Sequence, residues 1–172
     1  AWIDAGFTFD SMMFGELSAV TDGQRIAYCV PMLLEGCMTA AYSAEQGWRT
    51  EARPDPWLSQ GTKVLALSAD QLFVTIGNQV LVLDQVGSEW HAGQQIPVRR
   101  AFSLAEDSAA LVVSQYGESQ IYQRDVGGVW QIAAQLPVVA ESGFSAAIAE
   151  DLALIGSQAF AHQGNDWTAS GD

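Results

Sequence analysis

An all-β fold built from about four copies of one short unit is predicted for this chain by three observations. Tryptophan recurs after a turn at nearly constant intervals, an acidic turn recurs between apolar runs, and helical periodicity is nearly absent. Four strands in roughly 40 residues, apolar inside and polar outside, are typical of one β-propeller blade. The sequence therefore predicts about four four-stranded blades, forming either a small closed β-propeller or an arc of a larger one.

The first landmark is a tryptophan that follows a glycine-rich or polar turn. The four residues are Trp48, Trp90, Trp130 and Trp167, so the intervals are 90 − 48 = 42, 130 − 90 = 40 and 167 − 130 = 37 residues. Recurrence at one repeat position indicates packing between blades. Aromatic rings also serve as platforms for sugars and proteins, and this alternative stays open.

The second landmark is an acidic turn between two apolar runs, and the second copy shows the whole unit. The turns contain Asp22, Asp70, Glu106 with Asp107, and Glu150 with Asp151. In the second copy the predicted strands are Lys63–Ala69, Gln71–Ile76, Gln79–Val86 and Glu89–Val98, with Gly77-Asn78 as a hairpin turn. The fourth strand is polar and contains Pro97, which predicts an outer edge.

The repeats are expected to form one domain over residues 1–172, a length that can bury a substantial core. Their approximate bounds are 14–57, 62–98, 101–139 and 143–172, and residues 1–10 are interpreted as an extra or closing strand. The alanine-rich segment 146–153 is compatible with a helix, but its register with strands of the other copies predicts a strand. The start at Ala1-Trp2, without a leader, suggests a processed protein or an excised domain.

Short motifs recur around these turns, namely Phe14-Gly15, Phe102-Ser103, Phe144-Ser145, Ile76-Gly77 and Ile155-Gly156. They resemble degenerate FG-GAP repeats of integrin-type and bacterial surface β-propellers. The resemblance implies a secreted or cell-surface location and a binding role. Proteins of that family often hold calcium in a loop between the first two strands, but each turn here offers only one or two carboxylates. Calcium needs six to eight oxygens, so no metal is predicted, and aspartate is interpreted as a turn residue that bonds its own backbone.

Charge and cysteine content restrict the partners. The net charge of −13 disfavours nucleic acid and anionic membranes, and the apolar runs are too short to cross a bilayer, so membrane insertion is not predicted. Cys29 and Cys37 are interpreted equally well as a local disulfide or as two buried thiols. No cofactor motif is recognised, so no cofactor is predicted. The expected partner is a protein or a glycan, and self-association or a neighbouring domain could complete the propeller.

Catalytic motifs are weak. His91 and His162 lie in different copies without an adjacent nucleophile, and His91 is expected to be solvated on an outer strand.

The segment around Trp57 departs from the repeat and lies near Arg49 and Arg53, so these three residues form the predicted ligand-binding site. The favoured function is a non-catalytic binding or scaffold module. The alternatives are a propeller-type glycan hydrolase with two convergent carboxylates, and a structural subunit of a larger assembly.

Overall fold

The computed structural model describes residues 18–29, 37–51, 63–68, 70–99, 101–106, 110–115, 118–136, 145–164 and 166–170. This described part is all-β, without a helix, and its sixteen strands form four four-stranded antiparallel sheets. Each sheet is one blade, and the predicted fold class, a β-propeller of four-stranded blades, is confirmed. No helix in the described ranges is long and apolar enough to cross a membrane.

The strands follow one another in simple order within each blade. The first blade contains β1 (Ser18–Thr21), β2 (Arg25–Cys29), β3 (Cys37–Ser43) and β4 (Gly47–Thr50). The second contains β5 (Lys63–Leu67), β6 (Gln71–Ile76), β7 (Gln79–Val86) and β8 (Glu89–Pro97). The third contains β9 (Ala101–Glu106), β10 (Ala110–Gln115), β11 (Glu118–Arg124) and β12 (Trp130–Leu136). The fourth contains β13 (Ala146–Ala149), β14 (Leu152–Ile155), β15 (Gln158–Gln163) and β16 (Asp166–Ala169).

The second blade matches its predicted strands closely. Strands β6 and β7 have the predicted bounds, and β5 and β8 end within two residues of theirs. Gly77 has a φ of +58° in the turn between β6 and β7, a conformation that glycine adopts without steric cost. The alanine-rich segment 146–153 forms β13 and the start of β14, so strand pairing overrides its helix propensity.

Each fourth strand lies at an edge of its sheet and has the recurrent tryptophan as its first or second residue. The order of strands leaves β4, β8, β12 and β16 bonded only to the third strand of their own blade. Trp90, Trp130 and Trp167 are buried, and Trp48 is partly buried. The predicted polar outer strand led by a packed tryptophan is therefore confirmed.

The chain divides into two compact units. One comprises the described residues up to 76 together with 82–93, and the other comprises 77–81 together with the residues from 94. In the first unit β1 and β2 contact β5, and in the second unit β9 and β10 contact β13. A core cluster in the second unit contains Val112, Ile121, Ile148, Ile155 and Phe160. Burial of such side chains contributes roughly 1.5–3 kcal/mol each and holds neighbouring blades together.

Cys29 and Cys37 are joined by a disulfide bond. They face each other in the register of β2 and β3, which places their Cβ atoms on the same side of the sheet. The structure therefore has the first of the two alternatives that the sequence left open.

Candidate functional site

An arginine is buried between the first and second blades within the first unit. Arg25, the first residue of β2, donates to the Asp22 carboxylate at 3.0 Å and to the Ser68 carbonyl oxygen at 2.6 Å. It also donates to Gln85 Oε1, and its guanidinium carbon lies 5.6 Å from the centre of the Trp90 ring. Its side chain is only 11% exposed. A desolvated charge needs such partners, and the cation–π contact adds to them.

Asp22 organises the turn that leads into this arginine. Its Oδ1 accepts from the backbone N–H of Gln24 at 2.9 Å and of Arg25 at 2.7 Å. Burial alone would raise the pKa of Asp22, but these two backbone donors and the Arg25 guanidinium together hold the pKa below its ordinary value. Asp22 thus bonds the backbone of its own turn, as expected from the sequence. The described residues contain no cluster of metal-ligating side chains.

The strand registers identify the counterparts of these residues in the other unit. Arg25 pairs with Ala41 at the start of β2, and Ala110 pairs with Gln123 at the start of β10. Ala110 therefore occupies in the third blade the position that Arg25 occupies in the first.

The residues that surround the arginine have counterparts as well. The backbone N–H of Gln85 donates to the Asp70 carbonyl, and that of His162 donates to the Asp151 carbonyl, each at 2.8 Å. His162 thus corresponds to Gln85. By its place at the start of the fourth strand, Trp167 corresponds to Trp90.

A cavity of about 400 Å³ lies beside Ala110 between the third and fourth blades. Its walls are formed by Ala110, Gln123, Arg124, Glu150, Asp151, His162 and Trp167. All of these residues belong to the second unit. The methyl side chain of Ala110 cannot span the gap that the long Arg25 side chain spans in the first unit. The walls differ as well, with Gln123 in the place of Ala41 and His162 in the place of Gln85.

Polar and aromatic groups line the cavity on the side of the fourth blade. His162 stacks on Trp167 with ring centres 5.0 Å apart and planes 17° apart, and its Nδ1 lies 3.3 Å from Asp151 Oδ1. Glu150 has a φ of +50°, the one positive value among the described residues other than glycine. A glutamate in this conformation is strained by about 1 kcal/mol or more, and such residues cluster at functional sites.

The third blade contributes Arg124, the last residue of β11, to the wall of this cavity. Its Nε donates to the Gly128 carbonyl oxygen of the next turn at 3.3 Å, which holds the guanidinium against its own hairpin. Asp125 organises that hairpin by accepting from the backbone N–H of Gly127 and Val129. These two backbone donors hold the pKa of Asp125 below its ordinary value.

The tryptophan at the cavity differs from its counterpart in one hydrogen bond. Trp90 Nε1 donates to Thr39 Oγ1 at 3.3 Å. Thr39 pairs with Ala27 in β2, and by the same register its counterpart in the third blade is Ile121, which pairs with Val112. Ile121 offers no acceptor, and the buried Trp167 Nε1 has no hydrogen-bond partner within the described structure.

A second cavity, of about 270 Å³, also lies in the second unit. Its walls are formed by Gln94, Ile96, Pro97, Gln120, Tyr122, Trp130, Gln131 and Ile132. Burial and the nearby Glu118 raise the pKa of Tyr122, whose hydroxyl donates to Gln120 Oε1 at 2.7 Å. Gln94 is bound to the backbone of Trp130, so the polar groups here are already paired with one another.

The predicted site at Arg49, Arg53 and Trp57 is not tested by the structure. Arg49 is exposed on β4, opposite Ala41, while Arg53 and Trp57 lie outside the described residues. His91 is solvent-exposed on β8, as predicted, and its Nε2 lies 3.7 Å from Glu89 Oε2. His162 lies in the third strand of its blade, as predicted, but its place at a cavity was missed.

Alignment of the four acidic turns contains a signal for the cavity. The residue that opens the second strand is Arg25, Gln71, Ala110 and Leu152 in the four blades. Because these side chains differ in length from arginine to alanine, the space between successive blades is expected to be filled to different degrees. Only the strand register shows that this position points toward the neighbouring blade.

The known proteins that are similar to this chain are similar in fold. No protein-family model and no curated protein matches the chain. A protein of solved structure from Lactobacillus plantarum is 14% identical, with a TM-score of 0.58, over 86% of this chain and 51% of that one. A candidate 6-phosphogluconolactonase from Bacteroides uniformis is 12% identical, with a TM-score of 0.60, over 90% of this chain and 53% of that one.

A third similar structure is the SapL1 lectin in complex with alpha methyl fucoside, 12% identical with a TM-score of 0.41 over 89% of this chain and 78% of that one. At these identities the first two structures show the fold alone, and the third carries no argument. The chain spans about half the length of each of the first two proteins.

Proposed function

We propose that this chain is a non-catalytic binding module of a secreted or cell-surface protein, acting through protein or glycan contacts. The cavity beside Ala110 is its binding site. The observation that carries the proposal is the replacement of a long, buried arginine in the first blade by alanine in the third. This replacement leaves a space of about 400 Å³ with polar and aromatic walls. Such concave sites on a rigid scaffold are where ligands usually bind.

The chemistry of the walls supports recognition by several kinds of contact. Trp167 and His162 provide a stacked aromatic surface, and Glu150 and Asp151 provide hydrogen-bond acceptors. Arg124 provides donors on the opposite wall. His162 and Trp167 face each other on paired strands, so their ring stack is formed before any ligand arrives, whereas the Asp151 side chain is 80% exposed.

The Cys29–Cys37 disulfide supports the proposed location. Disulfides persist in oxidising compartments, and the net charge of −13 suits a soluble surface outside the reducing cytosol. The resemblance to FG-GAP repeats belongs to the same proposal.

The alternative of a glycan hydrolase receives no support from this cavity. Glycoside hydrolysis requires two carboxyl groups on opposite sides of the scissile bond. The two carboxylates in the cavity, Glu150 and Asp151, are adjacent residues of one turn and do not come from separate blades.

The proposal is tested by two-dimensional NMR titration of the labelled chain with a panel of soluble glycans and a panel of peptides. A ligand of the site should shift the side-chain signals of Trp167 and His162. The variant Ala110→Leu, which places a larger apolar side chain in the cavity, should weaken binding at least tenfold. The control Gln131→Ala changes the second cavity and should bind normally.

Two results would reject the cavity as the site. One is binding that the Ala110→Leu variant retains in full. The other is a set of shifts confined to residues around Arg49, which would favour the site predicted at Arg49, Arg53 and Trp57.

A second candidate function, a subunit of a larger assembly, is favoured by the outer face of the fourth blade. Leu152 and Leu154 are 52% and 45% exposed. They alternate with buried Ala153 and Ile155 along β14. Their counterparts in the third blade, Ala110 and Val112, are buried against the fourth blade. The exposed face is thus equivalent to one that packs on a following blade, and we propose that a second copy of the chain covers it.

The length comparison supports a second copy as the occupant, because the chain spans about half of two proteins with the same fold. Light scattering after gel filtration should give a dimer. Leu154→Lys should give a monomer, whereas the control Val126→Lys, in an exposed turn, should not change the mass. A monomeric unmodified chain, or a dimer that survives Leu154→Lys, would contradict this assignment.

A further inference from the structure

In the first unit, the position that is equivalent to Ala110 is occupied by an arginine. Between the first and second blades, the Arg25 guanidinium donates to a turn carbonyl, to a side-chain amide and to a carboxylate, and it lies over the Trp90 ring. The surrounding framework of strands and turns recurs in the second unit. There the arginine is replaced by Ala110, and the space remains.

The walls of this space favour a positive charge. Glu150 and Asp151 contribute two carboxylates, whereas the corresponding turn of the second blade contains one, Asp70. Arg124 is the single cationic side chain among the lining residues, and its Nε is directed to the Gly128 carbonyl of its own hairpin. The formal charge of the two carboxylates and Arg124 is therefore −2 + 1 = −1.

We propose that this cavity binds the guanidinium group of an arginine side chain presented by a protein partner. The ligand would occupy the space that the Arg25 side chain fills in the first unit, with Glu150 and Asp151 as its acceptors and the His162–Trp167 stack as its flat wall. Planar guanidinium groups pair with carboxylates and stack on aromatic faces, and they are more weakly hydrated than ammonium groups. The inference rests on the proposed function and specifies its ligand.

A sugar could also use carboxylates and an aromatic wall, so the two ligand classes must be separated by experiment. The discriminating residue is Arg124. A cationic ligand is repelled by the Arg124 guanidinium, whereas sugar hydroxyl groups would accept hydrogen bonds from it. Removal of this charge should therefore strengthen binding of a cation and weaken binding of a sugar.

The experiment is an NMR titration of the whole chain with N-acetyl-arginine methylamide at low ionic strength. The same titration is made with the lysine and glutamine derivatives and with a set of methyl glycosides. The arginine derivative should shift the Trp167 and His162 signals in the millimolar range or tighter. The lysine derivative should bind more weakly, and the neutral glutamine derivative should bind at least tenfold more weakly.

Three variants locate the interaction. Glu150→Gln should weaken binding of the arginine derivative about fivefold, and Arg124→Gln should strengthen it by a similar factor. Glu89→Gln makes the same chemical change at an exposed carboxylate of the first unit and should have no effect. Far-ultraviolet circular dichroism and thermal unfolding of each variant exclude misfolding as the cause.

Equal binding of the arginine and glutamine derivatives would overturn the inference, and so would an affinity that Glu150→Gln leaves unchanged. Binding of a methyl glycoside alone, weakened by Arg124→Gln, would overturn the cation inference but leave the proposed binding function standing. No shift at Trp167 or His162 with any ligand of the panels would reject both.

Discussion

The side chain at the start of the second strand differs between the first and third blades, and so does the space beside it. Arg25 crosses from the first blade to the Ser68 carbonyl and the Trp90 ring, whereas Ala110 leaves a cavity at the equivalent position. An arginine side chain is much larger than the methyl group of an alanine, so the two positions differ strongly in the volume that they fill. Residue-level predictions therefore concern the groups that hold this arginine and those that face the cavity.

Asp22 makes part of the stability dependent on pH. Its pKa is lowered in the folded chain, so its contribution is fully present above the unfolded pKa of about 3.9 and is lost as pH falls through the folded value. Unfolding by urea should show that Asp22→Asn is less stable than the unmodified chain at pH 7. The difference should shrink steadily below about pH 4. A difference that stays constant down to pH 2 would contradict the assignment.

Glu150 should show opposite effects on stability and on binding. Glycine adopts a positive φ freely, so Glu150→Gly should remove the backbone strain and raise the free energy of unfolding by about 1 kcal/mol. The same variant loses a carboxylate from the cavity and should bind the arginine derivative more weakly. Urea unfolding and NMR titration measure the two effects. Lower stability together with unchanged binding would contradict both roles.

At the scale of strands, one side-chain amide connects two fourth strands, β8 and β12, that belong to different sheets and form no backbone hydrogen bonds with each other. Gln94 of β8 donates through Nε2 to the Trp130 carbonyl and accepts through Oε1 from the Trp130 N–H, each at 2.7 Å. An edge strand has unpaired backbone groups, and here a side chain satisfies two of them. The polar residues of this strand predicted an outer edge, and Gln94 there is only partly exposed.

Loss of the Gln94 amide should therefore cost stability. Gln94→Ala leaves the buried backbone N–H and carbonyl of Trp130 without these partners and should lower the free energy of unfolding by about 2 kcal/mol. Gln95→Ala, at the exposed neighbouring position, is the matched control and should change it by less than about 0.5 kcal/mol. Equal effects of the two substitutions in chemical denaturation would show that the amide bridge contributes nothing.

At the scale of the whole molecule, the repeat could be predicted because it depends on local signals. Turn glycines, alternating apolar residues and a tryptophan at each fourth strand are properties of short segments, so the strands of the second blade were predicted almost to the residue. The cavity depends on which strand-opening residue faces the next blade. That follows from long-range register, which composition and spacing do not encode. The His162–Trp167 stack was missed for the same reason.

The central claim is that the cavity beside Ala110 is a ligand site for a cation, equivalent to the buried site of Arg25. Its most direct test is Ala110→Arg, measured by thermal unfolding and by titration with N-acetyl-arginine methylamide. We predict that the new side chain fills the cavity, so that the midpoint of unfolding is unchanged or higher and binding of the arginine derivative is lost. A lower midpoint of unfolding together with retained binding would contradict the claim.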